Sequence, residues 1–240
     1  CRIQALLPQD TDLKIMSTKI SVTAPDGHKL DAWQSDPSGK SKGGIIVLHA
    51  IYGLTSHLGD VCDMFAEHGF TAIGPALYDR IGKDTVHPYG EVGGAAGRDS
   101  YASLTKEQIL ADVAGCAAAL RPGPVAISGF CTGGSWAWVA GQELDFDAQV
   151  NFYGSHVHQW TEYSPKCPTI MHYGDTDRIV PLDGVKAIQA ANPGVTIHIY
   201  PGANHAFFNP EQDYHDPDAA ALLLSRSVAF LEDCFSRAGT

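Results

Sequence analysis

An α/β architecture, with a mostly parallel sheet covered by helices on both faces, is the fold class that the sequence predicts. Short β-branched runs alternate with longer stretches of helical periodicity along most of the chain. Residues 44–50 (GIIVLHA) are almost wholly apolar, as a parallel strand buried on both faces requires. The 240 residues are 44% hydrophobic and 18% charged, a mixture that can bury one large core and that excludes a disordered chain.

The elements follow in order. Residues 19–24 and 30–35 flank the turn dipeptide Asp26-Gly27 and predict an opening hairpin. After the apolar strand at 44–50, a helix is expected over 57–68, closed by Gly69, and then a strand over 71–77. A glycine-rich stretch runs over 81–97; its glycines from Gly90 to Gly97 have no strand leading in and no Lys-Ser/Thr after them, so they are read as a flexible flap near a site mouth rather than a phosphate loop. A helix over 104–120 stops before Arg121-Pro-Gly-Pro. Strand 124–129 (PVAISG) runs directly into a helix at Thr132–Glu143. Strands are expected at 149–153, 169–173 and Thr196–Tyr200, and helices at Leu182–Ala191 and 219–235. Sheets of this kind carry their chemistry in loops at the carboxyl ends of the strands.

A net charge of −11 disfavours a nucleic-acid binder. No apolar run approaches the roughly 20 residues of a membrane helix. The six cysteines, Cys1, Cys62, Cys116, Cys131, Cys167 and Cys234, form no CxxC pair and read as reduced, mostly buried thiols of a cytoplasmic protein. Residues 1–15 carry no fold signal and are read as a non-native or disordered extension, with Met16 the natural start and 16–240 a single domain.

The chemistry concentrates at Gly129-Phe130-Cys131-Thr132-Gly133-Gly134, between a strand and a helix. This is the G-x-nucleophile-x-G pattern with cysteine in the place of serine. A turn so tight strains the nucleophile's backbone, and the flanking glycines let neighbouring backbone approach. The geometry lifts the sulfur to a helix N-terminus, where the macrodipole favours a thiolate and the Thr132 amide faces a developing oxyanion. Two partners follow in the order nucleophile, acid, histidine, each just past a strand. They are Asp177 in Gly174-Asp-Thr-Asp-Arg-Ile-Val-Pro and His205 in Asn204-His-Ala-Phe. His205 would move the proton and Asp177 would hold its tautomer, with Asp175 the alternative acid. Any one of these residues alone would read as a turn or surface side chain; the ordered set carries the inference.

These residues resemble the dienelactone hydrolases, or carboxymethylenebutenolidases. The resemblance spans about residues 45–208 and rests on GFCTGG, on His49-Ala-Ile-Tyr-Gly, Pro75-Ala-Leu-Tyr-Asp-Arg, Phe152-Tyr-Gly, Gly-Asp-Thr-Asp177-Arg-Ile-Val-Pro and His205-Ala-Phe. It implies an α/β-hydrolase fold of eight strands without a large cap, a Cys131–His205–Asp177 triad and no cofactor or metal. It also implies a second oxyanion amide on Ile51. Arg80 is expected to pair with a substrate carboxylate, and Tyr153 and Phe207 to line the pocket. Two departures stand out. The glutamate that precedes the oxyanion-loop isoleucine in typical members is Ala50 here, and a second carboxylate-binding arginine is Asn209.

The expected function is opening of a lactone or cleavage of a carboxylic ester, with or without a carboxylate on the substrate. With one arginine in place of two, a carboxylesterase or thioesterase acting on uncharged acyl groups is the second reading. A ligand-binding or redox-sensing protein without turnover is the third, prompted by Ala50 alone. The expected partner is a small molecule, with no nucleic acid or membrane, and the expected state is a monomer or weak homodimer. His156, His158, Cys167 and His172 lack convergent zinc-ligand spacing.

Overall fold

The computed structural model describes residues 16–238, so the reading of residues 1–15 lies outside the described residues. Eight strands form one sheet: β1 (Thr18–Thr23), β2 (Lys29–Ser35), β3 (Gly44–Leu48), β4 (Thr71–Pro75), β5 (Val125–Phe130), β6 (Ala148–Phe152), β7 (Thr169–Gly174) and β8 (Thr196–Tyr200). Their order across the sheet is β1-β2-β4-β3-β5-β6-β7-β8. β1 and β2 form the antiparallel hairpin, β2 pairs antiparallel with β4, and every later pairing is parallel. The winding reverses at β3, whose neighbours are β4 on one side and β5 on the other. A crevice opens at such a switch point, at the carboxyl ends of the strands.

The helices are α1 (Ser56–Glu67), α2 (Glu91–Ala102), α3 (Lys106–Leu120), α4 (Thr132–Glu143), α5 (Leu182–Ala191) and α6 (Pro217–Ala238). The apolar run of β3 divides by the two-residue pleat. Ile45 and Val47 join the core beneath α1 and α6, while Ile46 and Leu48 join the core beneath α3. All four side chains are fully buried. A capping box starts α3: the Thr105 side chain accepts from the Gln108 amide and the Gln108 side chain accepts from the Thr105 amide.

One expectation about the backbone is corrected. The glycines from Gly90 to Gly97 do not form a flap: Gly90 caps α2 and Glu91 begins it. Glycine lowers helix propensity, but here it permits close packing. A Cβ on Gly97 would fall on the Ile51 carbonyl oxygen. The Tyr78 hydroxyl lies between the Ile51 oxygen at 3.0 Å and the Gly97 oxygen at 2.9 Å, and the Tyr101 hydroxyl donates to the His49 oxygen at 2.7 Å. α2 therefore braces the loop after β3, which is one wall of the crevice.

Candidate active site

Cys131 sits between β5 and α4 with φ 54° and ψ −118°. That backbone is costly for a residue with a Cβ, on the order of 1–3 kcal/mol, and persists only where the surroundings over-determine it. Here they do. The Cys131 amide donates to the Phe152 carbonyl at 3.0 Å, and the Cys131 carbonyl accepts from the Ser135 and Ser155 amides, each at 3.1 Å. A Cβ on Gly133 would meet the carbonyl oxygens of Leu48 and His49, so the close seating of α4 on the end of β3 depends on that glycine. Tyr153 (φ 41°) and Ala206 (φ 62°) are also left-handed, and both line the same pocket as Cys131. Of the four left-handed non-glycine residues among those described, these three line one cavity and Asp84 does not.

That cavity holds about 330 Å³ and opens at the switch point between β3 and β5. The loop after β3 contributes His49, Ala50, Ile51 and Tyr52 to its lining. The loop after β7 brings Asp177 behind it and Arg178 and Ile179 to its rim, and the loop after β8 brings Asn204, His205 and Ala206. Cys131 is half-buried and faces the cavity.

His205 Nδ1 lies 2.8 Å from Asp177 Oδ2. The other carboxylate oxygen accepts from the amides of Ile179 at 2.7 Å and Val180 at 2.9 Å, so the turn itself fixes the acid. The Asp177 side chain is wholly buried. Its acceptor-only carboxylate requires a donor on Nδ1, which leaves Nε2 as the working nitrogen, and Nε2 is buried with no protein hydrogen-bond partner. Asp175 points elsewhere and accepts from the Gly202 amide.

Electrostatics couple sulfur and ring. Burial pushes the Cys131 thiol up, but the facing charge of His205 and the hydroxyl and amide of Thr132 outweigh it, and the thiol stands below its ordinary value. Burial would lower His205, yet the facing sulfur and the Asp177 carboxylate raise it to about 10. Both shifts favour a thiolate–imidazolium pair. The buried thiols Cys62 and Cys116 move the other way, pushed up by desolvation.

The family model for dienelactone hydrolases matches residues 30–235. The chain belongs to the dienelactone hydrolase family. It is a hydrolase of that type with the α/β-hydrolase fold. The carboxymethylenebutenolidase of Pseudomonas putida is 26% identical over 231 residues, covering 90% of this chain and 97% of the relative. A protein of Azospirillum brasilense assigned the same name is 29% identical over 229 residues, covering 90% of this chain and 98% of its own. A crystal structure from Klebsiella pneumoniae assigned as a dienelactone hydrolase superposes with a TM-score of 0.78 at 25% identity, covering 90% of this chain and 97% of the other.

The remaining expected site residues separate. Ile51 and Tyr153 line the cavity, and the Tyr153 ring meets His205 edge-on at 5.0 Å between centroids. Thr132 lies under Cys131 at the start of α4. Arg80 does not reach the cavity. Its Nε and Nη2 donate to the two oxygens of buried Asp112 at 3.0 and 2.7 Å, and its Nη1 donates to Asp26 at 2.6 Å. The side chain is 9% exposed, so the guanidinium is already matched by two carboxylates and has no open face for a third. Phe207 is also displaced from the lining: it is fully buried between Tyr153 and Tyr200.

Sequence reasoning missed His57, Tyr89, Arg178 and Gln212, all of which line the cavity. Only Arg178 carried a signal, as the neighbour of the acid in Asp177-Arg-Ile-Val-Pro. The others reach the cavity by tertiary folding from α1, the segment before α2 and the segment before α6.

Proposed function

We propose that this protein hydrolyses a carboxylic ester or lactone with Cys131 as nucleophile, His205 as proton carrier and Asp177 as its orienting acid. The observation that carries this reading is the strained Cys131 facing a cavity that also receives an imidazole fixed by a buried carboxylate. The thiolate attacks the carbonyl carbon, forming the S–C bond while the oxygen takes the negative charge. The amides of Thr132 and Ile51 receive that charge. The intermediate collapses, the C–O bond to the leaving oxygen breaks, and His205 Nε2 gives that oxygen its proton. In a lactone the leaving hydroxyl stays tethered to the acyl group. Water then attacks the thioester, gives a proton to His205, and the thiolate departs as the acid is released. Cys131→Ala should abolish turnover of p-nitrophenyl esters while leaving Tm near that of the parent; retained turnover would defeat this assignment.

The engagement of Arg80 with Asp112 and Asp26 favours a second feature, an acyl group without a deeply held carboxylate. Residues 16–240 are read as one domain, a cytoplasmic monomer or weak homodimer acting on small molecules. The single sheet supports the first reading. The free thiols of Cys62, Cys116, Cys131, Cys167 and Cys234 support a reducing compartment.

A further inference from the structure

The sulfur of Cys131 has a polar neighbour besides His205. Thr132 Oγ1 lies 3.9 Å from Cys131 Sγ, within hydrogen-bond reach of an atom as large as sulfur. From there the contacts continue: Thr132 Oγ1 is 3.5 Å from Ser155 Oγ, and Ser155 Oγ is 2.8 Å from His156 Nδ1. Thr132 and Ser155 are buried, and His156 is half-buried. None of the three lines the cavity. Two buried hydroxyls thus lead from the nucleophile to a partly exposed imidazole, on a route separate from His205 and Asp177.

The backbone of the same segment is fixed to the nucleophile. The Ser155 amide donates to the Cys131 carbonyl at 3.1 Å. The His156 amide donates to Ser135 Oγ at 2.8 Å, and that hydroxyl donates to the Cys131 carbonyl at 3.3 Å. The His156 ring stacks on Trp160 at 5.3 Å between centroids, and Trp160 meets Trp136 of α4 edge-on at 5.2 Å. The link between His156 and Ser155 is short. The two links nearer the sulfur are long, as hydrogen bonds at reacting atoms often are before substrate arrives.

The thiolate sets the direction of the row. It has no hydrogen and can only accept, so with Cys131 ionised Thr132 Oγ1 donates to sulfur. The Thr132 oxygen then accepts from the Ser155 hydroxyl, and the Ser155 oxygen from His156 Nδ1–H. The other tautomer of His156, with a bare Nδ1, would take the Ser155 hydrogen and turn the row away from the sulfur. The hydroxyl and amide of Thr132 both act to lower the Cys131 thiol. The other titratable groups coupled to the sulfur are His205, after β8, and Tyr52, Tyr78, Tyr101 and Tyr153, whose phenols burial pushes up and keeps neutral. His156 itself is lowered by burial and by the charges of His158 and His205.

We propose that Thr132 Oγ1 is a further catalytic group, the donor that holds the Cys131 thiolate, and that Ser155 and His156 are positioning residues that aim it. The proposal rests on Cys131 being the nucleophile and adds a support for its charge that does not pass through His205. The donor acts twice, on the resting thiolate and again when water has attacked the thioester. In that second step the S–C bond breaks, the electron pair stays on sulfur, and Thr132 keeps its hydrogen throughout.

The test follows alkylation of Cys131 by iodoacetamide against pH, read on its own peptide by mass spectrometry, so that no turnover is needed. Thr132→Val keeps the branched shape and the backbone amide but has no hydroxyl. It should raise the alkylation midpoint by about one pH unit, and the acid limb of kcat/KM for p-nitrophenyl butanoate by the same amount. Thr132→Ser should hold the parent midpoint. Ser155→Ala and His156→Phe should raise it by less, the phenylalanine keeping the stack on Trp160. His156→Asn, whose side-chain amide can stand in for Nδ1–H, should stay near the parent. A midpoint unmoved in Thr132→Val, or moved as far by serine as by valine, would overturn the proposal. If Thr132→Val does not fold, a parent-like midpoint in Ser155→Ala overturns it instead. A parent inactive on every ester would remove the hydrolase reading, while the alkylation midpoints would still decide what holds the thiolate.

Discussion

Two polar clusters in this molecule are built on opposite terms. Around Arg80, buried charge is matched: the guanidinium meets both oxygens of Asp112 and one of Asp26, and nothing is left open. Around Cys131 the backbone is strained, and a cavity opens beside the sulfur and the imidazole of His205. The first arrangement sets counter-charge against the cost of burying charge. The second carries backbone strain, which raises the energy of the folded state. The difference is that Arg80 is buried among counter-charges whereas Cys131 faces an open cavity, although both sit beside the same sheet.

The comparison can be broken most severely at the sulfur. Cys131→Ala should lower kcat by at least about 10⁴-fold with little change in Tm, because it removes the nucleophile and keeps the Cβ. Asp177→Asn should cost nearly as much, because the amide that replaces the carboxylate can present its NH2 to Nδ1 and lock the wrong tautomer. Should either variant retain turnover within tenfold of the parent, the strained cluster would have to be structural after all.

A pH profile sharpens the same point. The Cys131 thiol is depressed, so the nucleophile is ionised at every pH above that lowered value. His205 is raised to about 10, so the acid stays protonated up to that pH. The expected kcat/KM profile is a bell with its alkaline limb near 10 and an acid limb below the usual thiol range, both belonging to the coupled pair. Cys131→Ser removes the anion that raises His205. Its activity should then rise as the imidazole becomes neutral, with no fall near 10.

The matched cluster should fail in stability. Arg80→Ala leaves Asp112, whose side chain is wholly buried, without its counter-charge, a loss expected to cost about 3–5 kcal/mol. Urea melts would read this as a lower midpoint at unchanged slope. Its kcat/KM should change equally for neutral and succinate esters. A selective loss on the succinate ester would put Arg80 back in the binding site.

The same contrast explains what was legible in the chain. Strand–helix alternation and the sharp turn at Cys131 are local patterns that lie where the sequence placed them, and Asp177 and His205 stand in the loops after β7 and β8. Helices α4 and α5 and strand β8 even begin and end at the expected residues. Arg80 went wrong because its partners are 32 and 54 positions away, and a motif cannot reveal that a charge is already taken. α2 was hidden because its glycines serve a close approach to Ile51, a tertiary contact that composition alone reads as flexibility. His57 and Gln212 were missed because only the tertiary fold brings α1 and the segment before α6 to the cavity.

The smallest effect belongs to a pair outside both clusters. Lys186 and Asp183 meet at 3.0 Å near the start of α5, with side chains 71% and 93% exposed. Solvent screens their attraction, and ordering two long side chains offsets most of what remains. The helix dipole favours Asp183 at this N-terminus and disfavours Lys186, so removing the lysine loses a weak contact and relieves a weak repulsion. Lys186→Ala should therefore leave Tm within about 1 °C of the parent and kcat/KM unchanged. A shift of several degrees in either direction would mean that exposure does not separate consequential from inconsequential charge in this fold, and the weight given to the burial of Arg80 and Asp112 would have to be withdrawn.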